Sequence, residues 1–123
     1  MKKDRIKYYL YINSEQWKQK RRDFFASNIH KCYSKLGKWN CYCCEATDVP
    51  LDLHHRSYKR LGNERISTDL IPVCRKCHND IHYLLNKNKK NGWNLWGATK
   101  AVRKKRQNEN RKGFCRWQNC LKI

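Results

Sequence analysis

The sequence lacks any apolar run that could cross a bilayer, and its start, Met1-Lys2-Lys3-Asp4-Arg5, contains no apolar signal segment. We therefore expect a cytoplasmic, reducing location and no membrane partner. Hydrophobic residues make up only 39% of the 123 positions, and 32% of the positions are charged. Because a small apolar core stabilises a domain weakly, a chain of this composition usually needs a metal or another cross-link.

Acidic residues are also scarce, since 10 Asp and Glu stand against 29 Lys and Arg, a formal charge of +19. The excess is confined to the two ends: the balance is +8 over residues 1–40, zero over 41–82 and +11 over 83–123. This distribution indicates a neutral core between two segments that bind a polyanion, for which nucleic acid is the natural partner. A solvated surface or a polybasic membrane segment would have a similar composition.

The eight cysteines could form the disulfides of a secreted protein, but their spacing is that of metal-binding pairs. Cys41-x-x-Cys44 and Cys74-x-x-Cys77 together predict a closed, tetrahedral, structural Zn²⁺ site. Cys115 and Cys120 could belong to a second zinc site only with two more ligands, for which the remaining candidates are Cys32, Cys43 and His30. We therefore interpret Cys115 and Cys120 as two free thiols.

Histidines surround the second cysteine pair. His78 and His82 are four residues apart, so on a helix both imidazoles project from one face. Upstream, Leu51-Asp52-Leu53-His54 alternates as a half-buried strand does, and His55 follows directly. Adjacent strand residues face opposite ways, so a shared site for His54 and His55 requires a twist, a bulge or the strand end at this point. A second metal ion with an open coordination position is expected here.

Together these motifs resemble an HNH endonuclease, most closely the small HNH nucleases of phages and mobile introns. The matching elements, within residues 10–86, are Cys41-x-x-Cys44, His54-His55, Asp69-Leu70-Ile71, Cys74-x-x-Cys77-His78 and His82. The resemblance implies an α+β fold, a small zinc-stapled, treble-clef-like ββα-metal domain with a basic N-terminal helix and a basic C-terminal extension. The corresponding segments are 1–40, 41–86 and 87–123.

The resemblance also implies a catalytic role for His55, Asp69 and His78. His55 takes the place of the general base that activates water, and Asp69 stands where the family usually has Asn. Tyr58 and Glu64 take supporting positions, although Glu64 could equally be a surface acid in a loop. Three histidines match the ligands of the catalytic ion: His54, His78 and His82.

The expected cofactors are therefore structural Zn²⁺ and catalytic Mg²⁺ or Mn²⁺. A histidine-rich site also predicts affinity for Ni²⁺ or Zn²⁺ in vitro, because Mg²⁺ prefers oxygen ligands. The expected partner is double-stranded DNA. A zinc-stabilised DNA-binding module without catalysis and an RNA-directed nuclease remain the alternatives. Whether the enzyme nicks or cuts both strands depends on dimerisation, which the sequence leaves open. A homodimer and a larger phage complex are both possible assemblies.

Two basic helices are expected in the flanks. Asn13 and Gln16 resemble a capping box, so the first should begin near Ser14, and Trp17, Phe24 and Phe25 should pack into the core. The second covers Ala98 to Arg106. Backbone phosphates of DNA could contact a set of cations on both helices: Lys18, Arg21, Arg22, Arg103, Lys104, Lys105 and Arg106.

Overall fold

The chain runs through two helices, a β-hairpin and two further helices. The structure, a computed structural model, describes residues 2–27, 33–34 and 37–112. Its elements are α1 (Lys2–Ile12), α2 (Glu15–Ala26), β1 (Leu51–His55), β2 (Leu70–Cys74), α3 (Arg75–Lys87), a 3-10 turn (Lys89–Asn91) and α4 (Leu95–Lys112). Within these ranges, no helix combines the length and the apolar character that crossing a membrane requires. This is a small α+β fold with a two-stranded sheet.

The predicted start of α2 is confirmed, but its cap is Ser14 rather than Asn13. Ser14 has extended backbone angles, and its Oγ accepts a hydrogen bond from the Trp17 backbone N–H at 3.2 Å. A hydroxyl in this position satisfies one of the free N–H groups of the first turn. Gln16 reaches away from the cap and donates to the Gly62 carbonyl at 2.8 Å, which ties α2 to the hairpin loop.

β1 and β2 pair antiparallel in a continuous register from Leu51 opposite Cys74 to His55 opposite Leu70. No extra residue interrupts this register, so a bulge at the two histidines is wrong. His55 is the last residue of β1, which was one of the expected alternatives. His54 and His55 therefore point to opposite faces of the hairpin.

Each face of the hairpin has its own apolar cluster. On one face, Leu53 and Leu70 pack with Trp17 and Phe24, which confirms the expected burial of these two aromatic rings, and Phe25 packs partly buried against them. The other face carries the cysteines and residues of β2, α3 and α4: Ile71, Val73, Ile81, Leu95, Ala98 and Val102. α4 lies within the predicted basic C-terminal extension, residues 87–123, and its buried residues contribute to the same core as the hairpin.

Candidate metal centres

Four cysteines form a cluster where β2 meets α3. Cys41 and Cys44 bracket a turn, Cys74 ends β2, and Cys77 lies in the first turn of α3. Their sulfur atoms all lie within 4.8 Å of one another, and the Sγ atoms of Cys44 and Cys74 are 3.8 Å apart. Tetrahedral coordination with zinc–sulfur bonds of about 2.3 Å places the sulfurs about 3.8 Å apart. The four side chains therefore lie at metal-binding distance, which is compatible with a zinc-stapled domain.

The turn at Cys41–Cys44 separates the ligands from the extra cysteine. The backbone N–H groups of Cys43 and Cys44 both donate to Cys41 Sγ, at 3.4 and 3.5 Å. The Cys43 thiol is buried, and its Sγ also lies 3.9 Å from the Thr99 carbonyl oxygen on α4. The four sulfurs that converge are those of the two C-x-x-C pairs, and Cys43 is not among them. The unassigned Cys32, Cys115 and Cys120 lie outside the described residues.

Hydrogen bonding inside the cluster changes the acidity of three of its thiols, in different directions. Side-chain hydrogen bonds from Cys43, Cys44 and Cys77 lower the pKa of Cys41 because they stabilise its thiolate. The hydrogen bonds to Cys41 raise the pKa of Cys44 and of Cys77, whose neutral forms act as donors. A cation that binds all four sulfurs must displace the remaining protons, so its affinity should rise with pH.

Arg106 belongs to this centre and not to a DNA-binding surface. Its side chain is 6% exposed and hydrogen-bonds the Asp80 carboxylate. Burial alone would lower the pKa of Arg106, but hydrogen bonds with Asp80 and with Cys77 raise it. The prediction that Arg106 contacts a DNA phosphate is therefore wrong. α4 turns this guanidinium toward α3, where it interacts with Asp80 and Cys77.

The second cluster consists of three histidines. His54 comes from β1, and His78 and His82 lie one turn apart on α3, as predicted. One ring nitrogen of each lies within 4.8 Å of those of the other two. The rings are in edge-on contact, with centroids 4.9 to 5.7 Å apart. Three imidazoles that converge in this way can hold one divalent ion and leave further coordination positions open.

Two residues that the sequence analysis did not identify fix the orientation of these rings. Thr99 on α4 donates its hydroxyl hydrogen to the Leu95 carbonyl, so it accepts from His54 Nε2–H, 3.0 Å away. The Asp52 carboxylate accepts from His78 Nδ1–H, also at 3.0 Å. These hydrogen bonds leave His54 Nδ1 and His78 Nε2 as the nitrogens with free lone pairs.

The environment also keeps two of the three histidines neutral. Burial lowers the pKa of His54 to about 2, and the nearby His78, His82 and His55 add to this effect. Burial and the proximity of His78 lower the pKa of His82 as well. Neutral imidazole is the form that binds metal ions, so His54 and His82 are ready to act as ligands near pH 7.

On the opposite face of the hairpin, His55 forms a buried pair with Glu64. His55 Nε2 lies 2.7 Å from Glu64 Oε2, and the two side chains are 2% and 1% exposed. The other carboxylate oxygen, Oε1, accepts from the Tyr11 hydroxyl on α1 at 2.6 Å. Since a carboxylate accepts, the Nε2 atom carries the proton and Nδ1 holds the free lone pair. Glu64 is thus a buried partner of His55 and not a surface acid.

Aromatic rings enclose this pair. Trp17 stacks on the His55 imidazole with centroids 4.8 Å apart and an angle of 19°. Tyr8 and Tyr58 approach from other sides, at 6.0 and 5.4 Å. Burial lowers the pKa of His55, against the opposing effect of Glu64. His55 is therefore a neutral imidazole beneath the side chains of α1 and α2.

Asp69 supports the loop that carries Glu64. Its carboxylate accepts from the Arg65 backbone N–H at 2.9 Å and from the Arg60 guanidinium at 2.6 Å. Burial would raise the pKa of Asp69, but these interactions outweigh it and lower that pKa. An aspartate is sufficient at this position because its carboxylate only accepts hydrogen bonds. The orientation of His55 is fixed by Glu64, which accepts the hydrogen bond from His55 Nε2–H.

The other cations predicted to contact DNA lie on two helices. On α2, Lys18 pairs with Glu15 at 3.2 Å, Arg22 donates to Gln19, and Arg21 donates to the Leu51 carbonyl. On α4, Lys104 and Lys105 are exposed, and Arg103 covers the Tyr42 ring at 4.4 Å.

Comparison of the chain with protein-family models, with curated proteins and with solved structures finds no match.

Proposed function

We propose that the protein is a metal-dependent HNH endonuclease that hydrolyses phosphodiester bonds in DNA. The observation that carries this proposal is the pair of consecutive histidines at the end of β1. His54 joins two further imidazoles at metal-binding distance, and His55 joins a buried carboxylate. Phosphodiester hydrolysis needs charge neutralisation at the phosphate and a base for the attacking water. A net charge of +19 favours a polyanionic substrate.

Two different ions are part of this proposal. The four cysteines hold structural Zn²⁺, and the three histidines hold a catalytic divalent ion, Mg²⁺ or Mn²⁺ in the cell and also Ni²⁺ or Zn²⁺ in vitro. When bound, the catalytic ion supplies charge neutralisation at the scissile phosphate and stabilises the leaving oxygen. Thr99 and Asp52 contribute by holding His54 and His78 in the tautomers that present a lone pair.

His55 performs the proton transfer. Its Nδ1 takes a proton from a water molecule while the water oxygen bonds to phosphorus. The bond from phosphorus to the 3′ oxygen breaks, and that oxygen takes a proton from solvent, which gives 5′-phosphate and 3′-hydroxyl ends. Glu64 holds the proton on His55 Nε2, and Tyr11 holds Glu64 in place. The lowered pKa keeps His55 neutral and able to act as a base at pH 7.

Access to His55 requires movement of the rings that cover it. His55 is 2% exposed beneath Tyr8 and Tyr58, so water and phosphate reach Nδ1 only when one of these rings shifts. The same burial favours a second candidate, a zinc-stabilised DNA-binding module without catalysis. In that case the His55–Glu64 pair would serve only to hold α1 and α2 on the hairpin.

Cleavage of supercoiled plasmid with added Mg²⁺ or Mn²⁺ tests the proposal. We expect His55→Ala to lower the cleavage rate about 10² to 10⁴-fold while zinc content and DNA affinity persist. His55→Gln, which fills more of the space under Trp17, serves as a second variant should the alanine variant unfold. His78→Ala should also lose cleavage, but excess Mn²⁺ should partly restore it. A wild-type protein that binds DNA and cuts neither DNA nor RNA with any divalent ion would establish the binding module.

A further inference from the structure

A groove of about 950 Å³ separates α1 from the C-terminal half of α3. Arg5, Lys7 and Tyr8 of α1 line one wall, and Tyr58 and Lys59 of the hairpin loop lie at its floor. The opposite wall, from α3 and the 3-10 turn, includes His82 and Lys89. Because His82 is one of the clustered histidines, the groove leads to the candidate catalytic centre.

The charge of this groove is of one sign. Its lining includes four cations, Arg5, Lys7, Lys59 and Lys89, and no acidic residue. Among the side chains that the structure describes, which do not include that of Asp4, no carboxylate forms an ion pair with any of the four. Lys18 of α2, by contrast, pairs with Glu15 at 3.2 Å. Unpaired cations that face one another across a groove attract a polyanion more strongly than paired cations on a convex helix face.

Two tyrosines add a surface for planar groups. The Tyr8 and Tyr58 rings meet edge-on with centroids 5.0 Å apart, and Tyr58 is 41% exposed. A base of a single strand can stack on such a ring while its phosphates contact the cations. The same two rings cover His55. A strand in the groove therefore contacts the side chains that must move before His55 is accessible.

We propose that this groove binds one strand of the DNA substrate, with successive phosphates on Arg5, Lys7, Lys59 and Lys89, and leads it past His82. This inference rests on the proposed nuclease function and names the path of the substrate through the same site. It assigns the main phosphate contacts to α1, the hairpin loop and the 3-10 turn, and not to the helix faces of α2 and α4.

Salt-dependent binding of a labelled oligonucleotide, without added divalent ion, tests the groove independently of cleavage. The double variant Lys59→Gln/Lys89→Gln removes one cation from the hairpin loop and one from the 3-10 turn. The slope of log K against log salt should fall by about 1.4 on a single strand and by about 1.8 on a duplex. At 0.1 M salt, single-strand affinity should fall roughly 25-fold, since each contact contributes a factor of about 5. Thermal unfolding confirms that the variant is folded.

Lys76→Gln/Lys90→Gln is the matched control, because it removes the same charge from exposed lysines that do not line the groove. The control should keep the wild-type slope. An unchanged slope in the groove variant, or an equal loss in the control or in Lys104→Gln/Lys105→Gln, would overturn the proposal. Tighter binding of RNA than of DNA of the same sequence would overturn the assignment to DNA. A groove-dependent slope in a protein that cuts nothing would support the groove and refute the nuclease.

Discussion

Replacement of Thr99 by valine tests whether α4 is part of the histidine centre. The Thr99 hydroxyl accepts from His54 Nε2–H at 3.0 Å and donates to the Leu95 carbonyl at 2.8 Å. Valine removes this hydroxyl and adds a methyl group in its place. Thr99 and His54 are 0% and 1% exposed, so solvent does not supply a new acceptor. The variant therefore leaves a buried imidazole N–H without a partner.

The size of the effect follows from that unpaired donor. A buried N–H without an acceptor costs about 1 to 3 kcal/mol of folding free energy. His54 can avoid part of this cost by moving its proton from Nε2 to Nδ1, but it then loses the lone pair that faces the other histidines. The loss of such an orienting hydrogen bond typically weakens metal binding about 10 to 100-fold. We expect losses of this size in both stability and metal affinity.

Calorimetric titration of the zinc-loaded protein with Mn²⁺ or Ni²⁺ measures the affinity, and urea unfolding measures the stability. Thr99→Ser is the matched control, because it keeps the hydroxyl and loses only a methyl group. The serine variant should bind the ion nearly as the wild type does. A valine variant with wild-type affinity would refute the orienting role of Thr99. Equal weakening in both variants would show that packing, and not the hydrogen bond, is responsible.

Three further predictions follow from the two centres. Cys74→Ser should lose the metal and unfold, because a structural zinc contributes on the order of 10 kcal/mol or more to folding. Cys43→Ser, the control, should retain zinc. Equal zinc content in the two variants would exclude the four-cysteine site. The folded-state pKa of His54, about 2, lies below the ordinary 6.5, so the stability due to its neutral form is complete above pH 6.5 and is lost as the pH falls. Urea unfolding at pH 6.5 and 5.5 should show a decrease of about 1 kcal/mol from His54, and His54→Gln should reduce the total decrease by that amount; an unchanged decrease in this variant would show that another group is responsible. In the same assay, Arg106→Met should lower the free energy of unfolding by about 1 to 3 kcal/mol, because Arg106 is buried and hydrogen-bonded to Asp80. Lys105→Met should lower it by less than about 0.5 kcal/mol, because Lys105 is exposed. Equal losses in the two variants would contradict a structural role for Arg106.

Much of the two candidate metal centres was predictable because the geometry within each short motif is local. Two residues in a C-x-x-C turn, or four apart on a helix, are brought together by backbone geometry alone. The four cysteines and the pair His78 and His82 therefore cluster where their spacing indicated. The end of β1 at His55 was one of the expected alternatives for the same reason, since strand alternation forces two adjacent histidines apart.

Arg106 shows where composition misled the prediction. It closes a basic run that reads as a DNA-binding segment, but it shares one helix face with Leu95, Thr99 and Val102, all of which are buried. This helical spacing was visible in the sequence and would have placed Arg106 against the core. The Asp80 carboxylate that accepts from its guanidinium was not visible, because Asp80 lies on another helix.

Only the tertiary structure decided which side chains support the two histidine sites. Tyr11 and Glu64 meet across 53 positions of the chain, Asp52 and His78 across 26, and His54 and Thr99 across 45. By itself, the sequence determined the two sets of candidate ligands, the charge of +19 and the order of α2, the hairpin, α3 and α4, because these depend on composition and short-range spacing. The partners that orient those ligands depend on how α1 and α4 pack on the hairpin, and packing brings together residues whose separation in the chain has no fixed period.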